Sequence, residues 1–155
     1  MTSQRFFADT NLFLRFLTND IPEQADAVEN LLHQAAIGEL TLVTNSMVLA
    51  EIVWTLESFY NLSKSDIKDK LLAILNTSGL EIVEDDLVIQ SINWYAEKNV
   101  DVTDAFNAAW LLKQGMTIAC TFDRKHFARF EGIKVLAPGE ELSSTTPRLK
   151  PGACP

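Results

Sequence analysis

Phe6-Phe7-Ala8-Asp9-Thr10-Asn11-Leu12-Phe13-Leu14-Arg15 changes its periodicity half-way through. Phe6, Phe7 and Ala8 read as the end of a buried strand, and Asp9-Thr10-Asn11 breaks it. Leu12, Phe13, Phe16 and Leu17 then recur at helical spacing. Asp9 is therefore expected where a strand hands over to a helix, at the carboxyl edge of a sheet. In open α/β folds that edge is where ligands bind. Capping of the following helix by Asp9 or Thr10 explains the stretch equally well when it is taken alone.

The remainder of the chain alternates in the same way. Ile21-Pro22-Glu23 opens a helix with an apolar stripe of Ala25, Val28, Leu31, Leu32, Ala35 and Ala36, closed near Gly38. Leu40–Thr44 reads as a second strand, and Asn45 or Ser46 caps a helix carrying Met47, Ala50, Val53 and Trp54. Glu51 interrupts that apolar series. Ser63 to Asp66 starts another helix, Leu80–Val83 a third strand, and Asp85-Asp86 a further helix. A loop at Asn99–Thr103 leads into a helix rich in small residues, Ala105, Ala108 and Ala109. Met116–Thr121 and Ile133–Leu136 read as the fourth and fifth strands. Alternation of this kind predicts an α/β fold, a three-layer α/β/α sandwich around a central, mostly parallel five-stranded sheet. One domain is expected over residues 1–139, followed by a flexible Glu/Ser/Thr/Pro tail over 140–155.

Composition narrows the function classes. The chain has 155 residues, 47% apolar and 22% charged, within the range of globular domains. No apolar run reaches membrane-spanning length, the start has no secretory pattern, and Cys120 and Cys154 form no disulfide framework or zinc motif. A cytoplasmic setting is the expectation. Lys plus Arg number 13 against 21 Asp plus Glu, a formal charge of −8. That balance argues against nucleic-acid binding through a broad basic surface. A metal that supplies positive charge locally, or a basic partner, remains open.

Four acids on separate segments are expected to gather on one rim. Asp9 follows the first strand and Asp123 the fourth; Asp104 begins a helix, and Glu51 projects from the helix after the second strand. Mutual repulsion makes such a cluster costly unless a cation holds it. Hard divalent ions prefer oxygen ligands. Singly, each acid has a plainer explanation: a cap, a solvated helix position, or an early-helix charge that suits the dipole.

Asp9-Thr-Asn-Leu-Phe-Leu-Arg, Val48-Leu-Ala-Glu51-Ile-Val-Trp-Thr-Leu, Val102-Thr-Asp104-Ala-Phe-Asn-Ala-Ala and Thr121-Phe-Asp123-Arg-Lys-His-Phe together resemble the motifs of the PIN-domain nucleases, in particular the VapC-type toxins. The resemblance covers about residues 5–137. It implies an endoribonuclease dependent on Mg²⁺ or Mn²⁺, a homodimer, and a cognate antitoxin protein as partner. It also implies that Asp9, Glu51, Asp104 and Asp123 form the catalytic quartet, with Asp9, Asp104 and Asp123 as metal ligands. Asn11, Thr121 and Asp101 match supporting polar positions. One or two ions would activate a water for phosphodiester hydrolysis, with Glu51 orienting or deprotonating it, leaving 5′-phosphate and 3′-hydroxyl ends. Arg15, Arg124 and Lys125 are candidates for contact with the RNA backbone, although a solvated turn explains the last two equally well. A haloacid-dehalogenase-like phosphatase would need a second Asp two residues after Asp9, where Asn11 stands. A receiver domain would need a strand ending in a phosphorylatable Asp in mid-sheet, and no strand ends so. A catalytically idle module that binds RNA or a partner protein is the alternative outside enzymes.

Overall fold

The computed structural model describes residues 3–140, and the expected tail after Glu140 lies outside them. The chain divides into two compact units at Trp110/Leu111. No helix among the described residues is long and apolar enough to cross a membrane.

The first unit runs β1 (Gln4–Phe7), α1 (Thr10–Thr18), α2 (Pro22–Ala36), β2 (Leu40–Thr44), α3 (Ser46–Ser58), α4 (Lys64–Leu75), β3 (Leu80–Ile82), α5 (Asp85–Glu97) and the start of α6 (Val102–Lys113). Its strands are parallel in the order β1-β2-β3, with Phe6 opposite Leu42 and Val43 opposite Glu81. Parallel neighbours require crossover connections, and helices supply each one. All three strands therefore end on the same edge, and the helices that follow them start there.

Sequence chemistry accounts for most of these boundaries. Pro22 occupies the first turn of α2, where its missing N–H is not needed. The Asn45 side chain accepts from the Val48 N–H and Ser63 from the Asp66 N–H, which fixes the starts of α3 and α4. Gly79, with φ +81°, precedes β3; a Cβ there would lie 2.1 Å from the Ala35 carbonyl oxygen, so only glycine lets α2 and β3 approach. The core joins Phe13 and Leu14 of α1, Leu42 of β2, Leu49, Ile52 and Leu56 of α3, Ile67 and Leu71 of α4, and Ile92 and Tyr95 of α5. Burial of each such side chain contributes about 1.5–3 kcal/mol.

The second unit holds the end of α6, then β4 (Ile118–Cys120), α7 (Arg124–Phe127) and β5 (Lys134–Leu136). β4 and β5 are parallel, with Ala119 opposite Val135. Phe130, which closes the turn after α7, is buried.

Three expectations need correction. Among the described residues the strands are parallel within each sheet, and their hydrogen bonds form a three-stranded and a two-stranded sheet rather than one sheet of five. The expected strand Met116–Thr121 is regular only over Ile118–Cys120, and β5 takes up that short ladder. Phe6 and Phe7 are not the buried end of a strand: they are 42% and 63% exposed. Consecutive strand residues point to opposite faces, and among the described residues β1 stands last in its strand order, paired with β2. Ala8, the next residue, is fully buried.

Candidate functional site

The carboxyl end of β1 is held by three contacts of different kinds. The Ala8 N–H donates to the Val43 carbonyl at 2.8 Å, extending the ladder by one residue. The buried Thr44 hydroxyl donates back to the Ala8 carbonyl at 3.0 Å. Thr10, 2% exposed, donates its hydroxyl to Glu51 Oε2 at 2.8 Å. The backbone on both sides of Asp9 is therefore fixed, and the Glu51 carboxylate of α3 is tied to the same strand end.

Asp9 occupies the N-cap position of α1 with extended backbone, yet its side chain makes no capping hydrogen bond. Local helix chemistry thus leaves the exposed carboxylate unused. Asn11 is exposed on the first turn of α1.

Asp104 lies in the first turn of α6 and is half-buried. α6 is entered through the Ala105 N–H, which donates to the Asp101 carbonyl at 3.0 Å. Carboxylate oxygens of Asp101 and Asp104 lie within 4.8 Å of one another. Thr103 and Ala50, the residues preceding Asp104 and Glu51, line a common apolar cavity of about 230 Å³ with Met47, Val88, Ile92 and Phe106. The first turn of α6 is thereby placed beside the N-terminal half of α3. As oxygen donors, Asp9, Glu51, Asp101 and Asp104 suit a hard divalent ion far better than a soft one. Two carboxylates as near as Asp101 and Asp104 give such an ion an electrostatic reason to bind.

In the second unit, Asp123 caps α7. Its Oδ1 accepts from the His126 N–H at 3.2 Å, and its Oδ2 pairs with His126 Nδ1 at 2.9 Å. The Thr121 hydroxyl accepts from the Asp123 N–H at 2.9 Å, so Thr121 sets the turn that presents the acid. Hydrogen bonding by the His126 backbone N–H, then by its ring, holds the Asp123 carboxyl below the usual carboxylate range against a smaller opposing effect of desolvation.

The cations proposed for RNA contact are partly engaged within the protein. Arg15 donates to Gln24 Oε1 and Asp20 Oδ2, at 2.8 and 2.9 Å. Arg124 pairs with Glu140. Lys125 is exposed.

Thr10 is the residue whose part the motifs did not reveal. A signal was present: Thr10, Phe13, Leu14 and Leu17 share one helical stripe, and a hydroxyl on a buried stripe needs a partner.

A profile of the family described as PIN domain matches residues 6–133, most of the chain. The chain belongs to the PIN-domain family. Among curated relatives of this PIN chain, a VapC ribonuclease of Aquifex aeolicus (strain VF5) is 24% identical over 133 residues, covering 86% of this chain and 96% of the relative.

Proposed function

We propose that this PIN protein is a divalent-metal-dependent endoribonuclease and the toxin of a toxin–antitoxin pair. The observation that carries the reading is the Thr10–Glu51 hydrogen bond, which joins an acid of α3 to the strand end bearing Asp9. Family membership, the uncapped Asp9 carboxylate and the close Asp101–Asp104 pair support it.

Asp9 and Asp104 would hold Mg²⁺ or Mn²⁺, with Asp123 assigned as the further ligand from its place in the family motif. Such an ion would supply an acidified water and neutralise charge that develops on the phosphate. Glu51, held by Thr10, would orient or deprotonate the attacking water. Asn11 and Thr121 support the arrangement, Thr121 through the Asp123 turn. The products carry 5′-phosphate and 3′-hydroxyl ends. A cytoplasmic homodimer, silenced by a cognate antitoxin protein, completes the proposal, as does a PIN-like architecture extending over residues 1–139.

Incubation of the purified protein with end-labelled RNA and Mn²⁺ tests it. Cleavage should occur, stop on chelation, and be abolished in D9N and D104N variants that keep the wild-type circular dichroism spectrum. Full activity in both variants would refute the metal role. RNA binding without cleavage would favour an idle binding module instead.

A further inference from the structure

Lys64 is the first residue of α4, directly after its Ser63 cap. A cation there opposes the helix dipole, so the local helix gives no reason for it. Its tertiary contacts do. Lys64 Nζ donates to the Val100 carbonyl oxygen at 2.8 Å and lies 4.1 Å from the centroid of the Tyr95 ring. Tyr95 is fully buried, and its hydroxyl donates to Glu57 Oε2 at 2.7 Å. The ammonium is thus set against a rigid aromatic face, which makes it a defined anchor rather than a wandering surface charge.

What it anchors is the short connection between α5 and α6. That connection turns through Asn99, at φ 52°, and α6 begins with the bond from Ala105 N–H to Asp101 C=O. Val100 and Val102 are buried, so their side chains fix the depth of the segment. The Lys64 bond to the Val100 carbonyl fixes its rotation and advance along the axis of α6. Asp104 lies four residues beyond Val100, and carboxylate oxygens of Asp101 and Asp104 lie within 4.8 Å of one another.

We propose that Lys64 is a positioning residue: by holding the Val100 carbonyl from an ammonium seated on the Tyr95 face, it sets where α6 starts and keeps Asp101 and Asp104 placed for a divalent ion. This rests on the metal-site reading above. Lys64 touches neither ion nor RNA; it acts through the backbone of the turn.

The test uses the full chain with K64M, which keeps the apolar stem over Tyr95 but loses charge and donor, and K64R, which restores both. Mn²⁺ binding is measured by calorimetry, and amide exchange is measured on the metal-free protein. K64M should bind Mn²⁺ about tenfold more weakly, as is usual when support behind a ligand is removed. Amides of residues 100–105 should exchange faster while those of Ile67 and Leu71 stay protected, and K64R should recover most of the affinity. Should K64M fail to fold, K64Q carries the same comparison. Wild-type affinity in K64M, or exchange accelerated equally throughout the core, would overturn the positioning role. A wild-type protein that binds no Mn²⁺ would overturn the metal-site reading and this inference with it.

Discussion

Asp9 and Asp123 both stand at helix N-caps, and only one of them works as a cap. Asp123 accepts from the backbone and ring of His126, whereas Asp9 accepts nothing from α1. The motif places the two acids alike, but hydrogen bonding separates a carboxylate engaged by its own turn from one left open. Thr10 gives the sharpest test at this scale. T10V keeps the side chain's shape but removes the donor to Glu51, at a net cost in stability of about 1 kcal/mol. Cleavage should fall about 10–100-fold, because an acid without its supporting partner is poorly placed. T10S, which keeps the hydroxyl, should recover most of the rate. The check is initial rate at saturating Mn²⁺ beside thermal melting; equal rates for T10V and wild type would leave Thr10 a purely structural residue. Asp9 and Glu51 stand out in the sequence because they interrupt apolar patterns, and Asp104 and Asp123 because they stand at a helix start and a strand end. Thr10 was less legible, since a threonine on an apolar stripe points to a partner without saying which.

Between elements, the turn from α1 to α2 is fastened to the end of α3 through one carboxylate. Asp20 accepts from the Tyr60 hydroxyl at 2.8 Å, from Thr18 at 3.0 Å and from Arg15 at 2.9 Å. The Tyr60 bond, followed by Thr18 and Arg15, lowers its pKa from the ordinary 3.8, although partial desolvation pulls the other way. A carboxylate whose pKa is lower in the folded chain contributes stability above its unfolded pKa and loses it as pH falls through the folded value. Melting temperature should therefore decline as pH drops below about 4. That decline should be shallower in D20N, measured by calorimetry across pH 2.5–7; superimposable acid limbs would show that Asp20 is no acid-sensitive fastening. At this scale the sequence was informative where chemistry is local. The caps at Asn45 and Ser63, Pro22, and the stripe Ile67-Leu71-Ile74 all fall where the pattern puts them. Strand length and α7 were less legible, because a three-residue ladder and a four-residue helix depend on partners distant in sequence. The exposure of Phe6 and Phe7 was illegible for the same reason: apolar character signals burial only once strand order is known.

Over the whole molecule, a charge of −8 must be reconciled with the polyanionic substrate proposed above. Two of the three cations proposed for the RNA backbone are engaged internally, Arg15 with Asp20 and Gln24, and Arg124 with Glu140. A broad basic footprint is therefore not what would hold RNA here. Attraction would come chiefly from divalent ions at the acidic site, helped by Lys125 and few other contacts. Such an enzyme should respond weakly to monovalent salt, because each phosphate neutralised on a single strand adds only about 0.7 to the slope of log affinity against log salt. With one or two phosphates neutralised, KM for a short single-stranded RNA should rise less than about tenfold between 50 and 200 mM KCl at fixed Mn²⁺. It should depend far more steeply on Mn²⁺ itself. A rise approaching a thousandfold over the same salt range would mean that about seven phosphates are neutralised, and RNA would then be held by side-chain cations rather than at the metal site.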